Sequence, residues 1–289
     1  MSAKRQNTVA EKLRMKANDL TAAERKLMAA LFADYPVAGL ASITEFAKLA
    51  NVSTPSVLRL AKKLGFSGFP ALQEALRGEL SAQLQNPIAK HERWAAEAPD
   101  AHILNRFADA ATDNLRASLR LMDHRVFDEV ARLLGARRRA IHIMGGRITG
   151  AIAHYLYTHL HMARPNVHLV PEAQALWPQY LMNLSKGDVL LAFDVRRYDA
   201  RMLDFAVSAQ AEGAEIVLIT DQWMSPIARI ASLSLPVRIE VPSSWDSNMV
   251  PLFVAEALVA AVVNHNWPDT QSRIRRLETF NETLRRGKS

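Results

Sequence analysis

The sequence predicts two different parts: an all-α helix-turn-helix domain at the amino end, then an α/β domain built on a doubly wound parallel sheet. Two observations lead to this fold class. Residues 20–80 contain short helical patterns and almost no runs of β-branched residues, whereas residues 139–266 alternate short apolar runs with helical patterns. Alternating strand and helix patterns are typical of a parallel sheet that is covered by helices on both faces.

Five apolar runs in the second part are predicted strands, and two amphipathic stretches between them are predicted helices. The strand candidates are AIHIMG, NVHLV, DVLLAFD, EIVLITD and LSLPVRI, and the helix candidates are ITGAIAHYLYTHL and YDARMLDFAVSAQAEG. Patterns in the first part predict helices only. We therefore expect four segments: a helix-turn-helix domain at 1–80, a helical linker at 81–127, an α/β domain at 128–266 and a basic helix at 267–289.

Composition restricts the function. The chain has 289 residues, a formal charge of +7 and no cysteine. The positive charge favours polyanionic partners such as nucleic acid, and the lack of cysteine excludes disulfides, thiolate metal sites and a cysteine nucleophile. The amino end lacks the apolar run of a signal peptide, and the longest apolar run near the carboxyl end, VAEALVAAVV, is too short to span a bilayer. We expect a cytoplasmic protein without a membrane partner.

A helix-turn-helix is predicted between residues 42 and 64. Ser42 and Glu45 form a capping box, which starts a short helix. Asn51 follows it, and asparagine tolerates the left-handed backbone of a tight turn. A second helix begins near Ser53, with Pro55 in its first turn. Its buried stripe is predicted at positions i, i+3, i+4 and i+7, namely Val57, Leu60, Ala61 and Leu64.

The second helix carries the predicted DNA contacts on the face opposite its apolar stripe. Hydroxyl groups near its amino end are expected to reach phosphates or base edges, and Arg59 has the right depth for a bidentate contact to guanine. Lys62 and Lys63 are better placed for backbone phosphates. The predicted contacts are Ser53, Thr54, Ser56, Arg59, Lys62 and Lys63. The alternative is a small helical bundle with a solvated basic face.

Residues 43–76 resemble the amino-terminal domain of RpiR-type transcriptional regulators. In that family a helix-turn-helix is followed by an LGF-x-GF stretch, which here is Leu64-Gly65-Phe66 and Gly68-Phe69. The family pairs this domain with a SIS domain, a sugar-isomerase-like α/β domain that binds phosphosugars. The resemblance therefore implies that residues 128–266 form a SIS-like domain.

Ligands of open parallel sheets bind beyond the carboxyl ends of the strands. The first predicted strand ends in Gly145 and Gly146, and Arg147 and Thr149 follow before a helix. The glycines permit a tight turn, and we expect the helix to offer free N–H groups to an anion. The alternative is an ordinary strand-to-helix turn. The resemblance places Thr149 where the family usually has serine and Arg147 where it has glycine.

The next strand ends in FDVRRY, where SIS domains usually carry a serine-rich loop that holds the sugar phosphate. Arg196 and Arg197 occupy this place. Guanidinium groups pair well with phosphates and carboxylates, so we predict that they bind an anion by charge. Alternatively, these arginines pair with Asp194, with Asp199 or with a neighbouring subunit.

The remaining candidates are weaker. Ser247 is expected to cap the last long helix, and a ligand contact by Ser247 is the alternative. Four histidines, His154, His159, His161 and His168, lack a carboxylate at ligand spacing, so we predict a helix surface or a dimer contact and no metal site. The sequence nominates no catalytic base beside the loops, as a sugar isomerase would need, and no cofactor is expected. The basic carboxyl-terminal helix is expected to pack or to form a dimer contact, and direct DNA contact is the alternative.

Three functions remain open. The first is a ligand-responsive DNA-binding transcriptional regulator, without enzymatic activity, whose α/β domain senses an anionic metabolite, either a phosphosugar or an organic acid. That regulator would be a homodimer or homotetramer on a double-stranded DNA operator, with half-sites about 34 Å apart or a multiple of that. The second is a sugar-phosphate isomerase with a helical appendage. The third is an architectural DNA binder with an inactive sensor domain.

Overall fold

The computed structural model describes residues 7–97 and 102–286. The chain divides into two compact units. The first, called the helical unit, comprises Met1–Leu121 together with Asp221–Arg229 and Arg238–Ser247. The second, called the sheet unit, comprises Met122–Thr220, Ile230–Val237 and Asn248–Ser289.

The helical unit is built from seven α-helices among its described residues, with short 3-10 turns between some of them. The helices are α1 (Val9–Met15), α2 (Ala22–Ala33), α3 (Ile43–Leu49), α4 (Thr54–Lys63), α5 (Phe69–Leu84), α6 (Pro87–Glu97) and α7 (Ile103–Leu121). Capping boxes define where three of them start. Thr8, Thr21 and Ser42 each accept a hydrogen bond from the backbone of a glutamate three residues later. Leu27 and Leu31 of α2 lie in the buried core.

A segment from late in the sequence also belongs to the helical unit. The guanidinium group of Arg238 donates hydrogen bonds of 2.7 and 2.5 Å to the two carboxylate oxygens of Glu11 in α1. The backbone N–H of Arg238 donates to the hydroxyl of Ser118 in α7 at 2.8 Å. Both side chains of the ion pair are largely buried, so the pair fixes α1 to this segment in a protected environment.

The sheet unit contains a five-stranded sheet in the order β2-β1-β3-β4-β5. Its strands are β1 (Ile141–Gly145), β2 (Val167–Leu169), β3 (Val189–Asp194), β4 (Glu215–Asp221) and β5 (Leu233–Val237). Pairings of β1 with β2, β1 with β3 and β3 with β4 are parallel. All six residues of β3 are buried, as expected for a central strand of a sheet with both faces covered.

Helices precede, connect and follow these strands. They are α8 (His124–Gly135), α9 (Gly150–Ala163), α10 (Trp177–Leu181), α11 (Ala200–Ala211), α12 (Met249–His265) and α13 (Trp267–Arg286). The predicted fold class is confirmed, and each of the five predicted strands is present. Helix α5 continues past residue 80 and α8 spans residue 127, so these two predicted boundaries fall inside helices.

The described helices were compared with the length and apolar character that a bilayer crossing needs. No single helix among them is both long enough and apolar enough to cross a bilayer. The helices Met249–His265 and Trp267–Arg285 are long and apolar enough only when they are taken together, and they are bent by 102° relative to each other.

Candidate functional site

Helices α3 and α4 form a helix-turn-helix with a tight connection. Asn51 has φ 50°, in the left-handed region. The N–H of Val52 donates to the carbonyl of Ala47 at 2.9 Å, the backbone pattern that ends a helix when the next residue is left-handed. Ala47 is buried. The predicted turn at Asn51 is therefore confirmed.

Helix α4 has one buried and one exposed face. The predicted stripe of Val57, Leu60, Ala61 and Leu64 is buried, and Pro55 stands in the first turn. Arg59 and Lys62 are exposed. Ser53 is the N-cap residue, but its hydroxyl does not cap the helix. It lies 3.1 Å from the hydroxyl oxygen of Ser56 instead.

Ser56 differs from the expectation that it lies on the exposed face. Its side chain is buried, with an exposed fraction of 4%. The guanidinium group of Arg59 donates to the Ser56 hydroxyl at 2.8 Å. The Ser56 hydroxyl lies between the Ser53 hydroxyl and the guanidinium group of Arg59. It is placed to orient Arg59, and a contact of Ser56 with DNA stays a prediction.

Lys63 is only half exposed, because its ammonium group is engaged within the helical unit. It donates to the carboxylate of Glu24 at 2.6 Å and to the carbonyl of Asp19 at 2.9 Å. Burial of Glu24 would raise its pKa, but hydrogen bonds from Lys63 and Thr21 outweigh burial, so the pKa lies below its ordinary value. Lys63 thus pairs with a buried carboxylate, which reduces its availability for phosphate.

The end of β1 in the sheet unit forms a closed turn. A side chain at Gly145 would place its Cβ atom 2.5 Å from the carbonyl oxygen of Thr149, so this position has room only for glycine. The N–H of Gly146 donates to the Thr149 hydroxyl at 2.8 Å, and that hydroxyl donates to the carbonyl of Phe193 in β3 at 2.7 Å. Thr149 is buried, and its hydroxyl both accepts and donates inside the protein.

The amino end of α9 differs from the expectation of free N–H groups. The N–H of Gly150 donates to the carbonyl of Gly146 at 2.7 Å, and the N–H of Ala151 donates to Ile148 at 3.3 Å. A carboxylate oxygen of Glu172 also lies 3.6 Å from the position that a Cβ atom at Gly150 would occupy. These two amides are therefore engaged within the protein, and a carboxylate lies near the amino end of α9.

Two arginines follow β3 in unusual backbone conformations. Arg196 has φ 21° and Arg197 has φ 60°, and such values cost free energy in residues with a side chain. Arg196 is buried, whereas Arg197 is exposed. Arg147, after the neighbouring strand β1, is exposed as well. Because Gly145 and Phe193 are partners in the β1–β3 register, the two loops leave the sheet side by side.

Asp199 was one of the alternative partners predicted for these arginines. Its carboxylate accepts from the side chain of Arg201 at 3.1 Å and from Gln174 at 3.0 Å. It also caps α11 through the N–H of Arg201. The hydrogen bond from the Arg201 side chain is the main cause that lowers the pKa of Asp199. Asp199 is therefore occupied by Arg201.

The capping role predicted for Ser247 is wrong. Asn248 is the N-cap residue of α12. Ser247 belongs to the helical unit, where its N–H donates to the carbonyl of Ile239 at 2.8 Å. This bond closes the segment from Ile239 to Ser247 into a loop. A ligand contact by Ser247 stays a prediction.

The four histidines singled out from the sequence each lie against another aromatic ring. His159 packs against Tyr155 and His161 against Tyr157 along α9, His154 is near Tyr157, and His168 stacks on the buried His142. Within residues 7–97 and 102–286, no three histidine, aspartate or glutamate side chains converge as metal ligands would.

Two side chains at these sites were not singled out from the sequence. The sequence does not reveal Glu24 as the partner of Lys63, because its spacing from Thr21 already explains it as the glutamate of a capping box. Leu58 is an exposed apolar residue on α4. The exposure of Leu58 could be predicted from the sequence, since Leu58 falls outside the buried stripe of Val57, Leu60 and Ala61.

Two family descriptions match the chain. Residues 7–83 match the helix-turn-helix domain of the rpiR family, and residues 136–261 match the SIS domain. The regulator HexR of Pseudomonas aeruginosa is 25% identical over 279 residues, which are 93% of each chain.

Solved structures show the same fold. The sugar isomerase domain of an RpiR transcription factor from Sphaerobacter thermophilus has 19% identity and a TM-score of 0.58, and it covers 62% of this chain and 99% of its own. NanR of Vibrio vulnificus, solved in complex with ManNAc-6P, has 18% identity and a TM-score of 0.54 over 95% of this chain and 98% of its own.

A helix-turn-helix with an exposed cationic face, followed by a SIS-type parallel sheet, defines a class of protein: the helix-turn-helix transcriptional regulators with a sugar-isomerase-like domain. Both parts of the chain match that class over most of their length. The chain belongs to the RpiR family of transcriptional regulators.

Proposed function

We propose that this regulator reads one DNA half-site with helix α4 and changes its affinity for DNA when the sheet unit binds a small anionic metabolite. The observation that carries the proposal is the division of α4 into two faces. Val57 and Leu60 are buried, whereas Arg59 and Lys62 are exposed on the other side. A cationic helix face supported by a packed helix pair suits the major groove.

Within this surface the roles differ. Arg59 is held by Ser56, so less side-chain entropy is lost when its guanidinium group meets guanine O6 and N7. Lys62 contributes a phosphate contact, which adds affinity without sequence information. Ser53 and Thr54 lie at the amino end of α4, where hydroxyls and backbone N–H groups meet phosphates. Lys63 contributes less, because Glu24 holds it.

Arg59→Ala tests the reading role. A duplex selected by the wild-type protein from a random DNA library serves as the probe, and fluorescence anisotropy gives the dissociation constant. We expect specific binding to weaken by about 1–3 kcal/mol and discrimination to relax at one base pair per half-site. Arg25→Ala, which removes an equal charge from an exposed position on α2, should leave discrimination unchanged. Equal effects of the two variants would contradict the proposal.

The sheet unit is proposed to bind a phosphosugar or an organic acid between the loops that follow β1 and β3. Arg147 and Arg197 are exposed there on adjacent strands, and two guanidinium groups suit a phosphate or carboxylate. The engaged amides of α9 leave these side chains as the main source of positive charge. NanR, which shares the fold, was solved with ManNAc-6P, and this supports the phosphosugar choice.

A thermal-shift screen tests the sensing role. ManNAc-6P, other sugar phosphates and organic acids are added to the full-length protein. A ligand that binds only the folded state stabilises it by about 2.7 kcal/mol at a concentration of 100 times its dissociation constant. The same ligand must also change the affinity for the selected duplex, because coupling between two sites is reciprocal. A panel without any shift would contradict the sensing role.

The functional unit is proposed to be a homodimer or homotetramer, since two α4 helices on one face of the duplex require half-sites about 34 Å apart. Light scattering gives the oligomeric state, and footprinting gives the spacing.

We also propose that the chain is not an isomerase, because the serine-rich loop usual in SIS domains is replaced by Arg196 and Arg197. Aldose–ketose turnover that disappears in Arg147→Gln would overturn this.

A further inference from the structure

We propose that Leu58 contacts the 5-methyl group of a thymine in each half-site, and that it thereby sets a second base preference beside the one set by Arg59. This inference rests on the proposed DNA-binding function and goes beyond it in naming the base and the group that is recognised. The observation behind it is an apolar side chain that stands on the cationic face of α4.

The exposure of Leu58 does not follow from the packing of α4. Its exposed fraction is 41%, whereas its neighbour Val57 and the next apolar residue, Leu60, have exposed fractions of 0% and 1%. The helix has enough buried leucine and valine to hold it in place without Leu58. A leucine on this face therefore leaves apolar surface in water that a partner can cover.

The position of Leu58 on the helix places it at base-reading depth. Residues four apart share an edge of a helix, so Leu58 lies one turn beyond Thr54 and one turn before Lys62. Thr54 is half-buried and adds a methyl group to the same edge. An α-helix turns by about 100° per residue, so Leu58 and Arg59 leave α4 in different directions.

The position of Arg59 determines which base pair Leu58 faces. Its guanidinium group is tied to Ser56 at 2.8 Å, which keeps it on the edge opposite Thr54 and Leu58. When Arg59 meets a guanine, Leu58 faces a neighbouring base pair on its other side. The expected half-site therefore contains a guanine and, next to it or one step further, a thymine.

The chemistry of the groove selects thymine. Base pairs present hydrogen-bond donors and acceptors in the major groove, and the only methyl group among the four bases is the C5-methyl of thymine. A leucine side chain offers no hydrogen bond, so it loses free energy when it desolvates a donor or acceptor and gains when it covers a methyl group. Leu58 therefore favours thymine and disfavours the other bases at its position.

Replacing thymine by uracil removes the methyl group and nothing else from the duplex. The wild-type protein first selects its sequence from a random double-stranded library, and each thymine is then replaced by deoxyuridine in turn. We expect one position per half-site at which the substitution weakens wild-type binding about four-fold, equivalent to the ~0.8 kcal/mol of one buried methyl-sized group. Leu58→Ala should bind the thymine duplex more weakly and show no loss at that position.

Leu49→Ala is the matched control, since Leu49 is an exposed leucine on the supporting helix α3, with an exposed fraction of 61%. It should keep the wild-type response to uracil. Alanine favours helices, and an unchanged melting temperature confirms that Leu58→Ala is folded. If wild type and Leu58→Ala respond equally to uracil at every position, the inference is wrong. If the wild type selects no sequence at all, the proposed function itself fails.

Discussion

The two anion-binding surfaces proposed for this regulator differ in how much of their polar chemistry the chain itself uses. On α4 in the helical unit, Arg59 and Lys62 are exposed, whereas Ser56 is buried and Lys63 is paired with Glu24. At the strand ends of the sheet unit, most of the predicted donors are engaged. The hydroxyl of Thr149, the N–H of Gly146 and the first N–H groups of α9 all have protein partners.

This difference shows what residue type and periodicity reveal about a binding surface. The direction of a helical side chain follows from its position relative to the apolar stripe, so exposure on α4 is readable from the sequence. In a strand-end loop, the availability of a hydroxyl depends on partners that are distant in the chain. The hydroxyl of Thr149 donates to the carbonyl of Phe193, which is 44 residues away in the sequence. No local sequence pattern predicts that hydrogen bond.

The largest expected effect comes from Thr149→Val, which preserves shape and removes the hydroxyl. The N–H of Gly146 and the carbonyl of Phe193 then both lose their partner in a buried place. An unsatisfied buried group costs about 1–3 kcal/mol, so we expect the free energy of unfolding to fall by about 2–4 kcal/mol in the absence of any ligand. Chemical denaturation measures this.

Thr149→Ser is the matched control, because serine keeps the hydroxyl and should retain most of the stability. A wild-type melting curve for Thr149→Val, together with a loss of effector binding, would reverse the comparison. It would mean that Thr149 serves the ligand and that the internal bonds are dispensable.

A second test concerns a buried polar group in the helical unit, the carboxyl group of Glu79. Glu79 of α5 accepts hydrogen bonds from the N–H of Val9 at 2.6 Å and from the hydroxyl of Tyr35, so it anchors the amino end of α1. Burial raises the pKa of Glu79 to about 7. Hydrogen bonds from Tyr35 and Val9 oppose this rise, nearby Glu11 adds to it, and Lys12 opposes it.

The direction of the pH dependence follows from these values. In the unfolded chain Glu79 loses its proton near its ordinary pKa of 4.5, whereas the folded protein keeps the proton until about pH 7. The folded state therefore binds more protons within that window, and stability falls as pH rises through it, by about 2–3 kcal/mol from this group.

Glu79→Gln removes the titrating group and should flatten this part of the stability profile. Glu74→Gln, on the same helix but with an exposed side chain, should keep the wild-type slope. Denaturation series between pH 4.5 and 8 compare the three proteins. A Glu79→Gln profile parallel to the wild type would show that Glu79 is not the group responsible.

Much of the fold could be predicted from the sequence because its signals are local. Capping boxes, the left-handed Asn51 and the apolar stripe of α4 each depend on residues within one or two turns. The strands were readable for a similar reason, since a buried parallel strand such as β3 is a continuous apolar run between turn residues. The helix-turn-helix and the class of the second domain followed from these patterns.

The parts that differ from the sequence prediction depend on distant contacts. Ser56 borders the stripe, and whether such a position is covered depends on the packing of neighbouring helices. Lys63 meets Glu24 across 39 residues. The N-cap residue of α12 is Asn248, one residue after the predicted Ser247, whose N–H donates to the distant carbonyl of Ile239. Residue type identified the candidates, but tertiary contacts decide which polar atoms stay available.

The smallest expected effect comes from two adjacent lysines. Comparing their variants distinguishes a lysine that stabilises the fold from one that contacts DNA. Lys63→Ala leaves the carboxylate of Glu24 buried without its cation, so we expect a loss of about 1–2 kcal/mol of stability and little change in the salt dependence of DNA binding. Lys62→Ala, one residue earlier and exposed, should keep full stability and reduce the slope of log affinity against log salt by about 1. Denaturation curves and a salt titration of duplex binding measure both variants. If Lys63→Ala changed the salt slope as Lys62→Ala does while it kept wild-type stability, Lys63 would leave Glu24 for a phosphate on binding, and the two lysines would form one DNA-contacting surface.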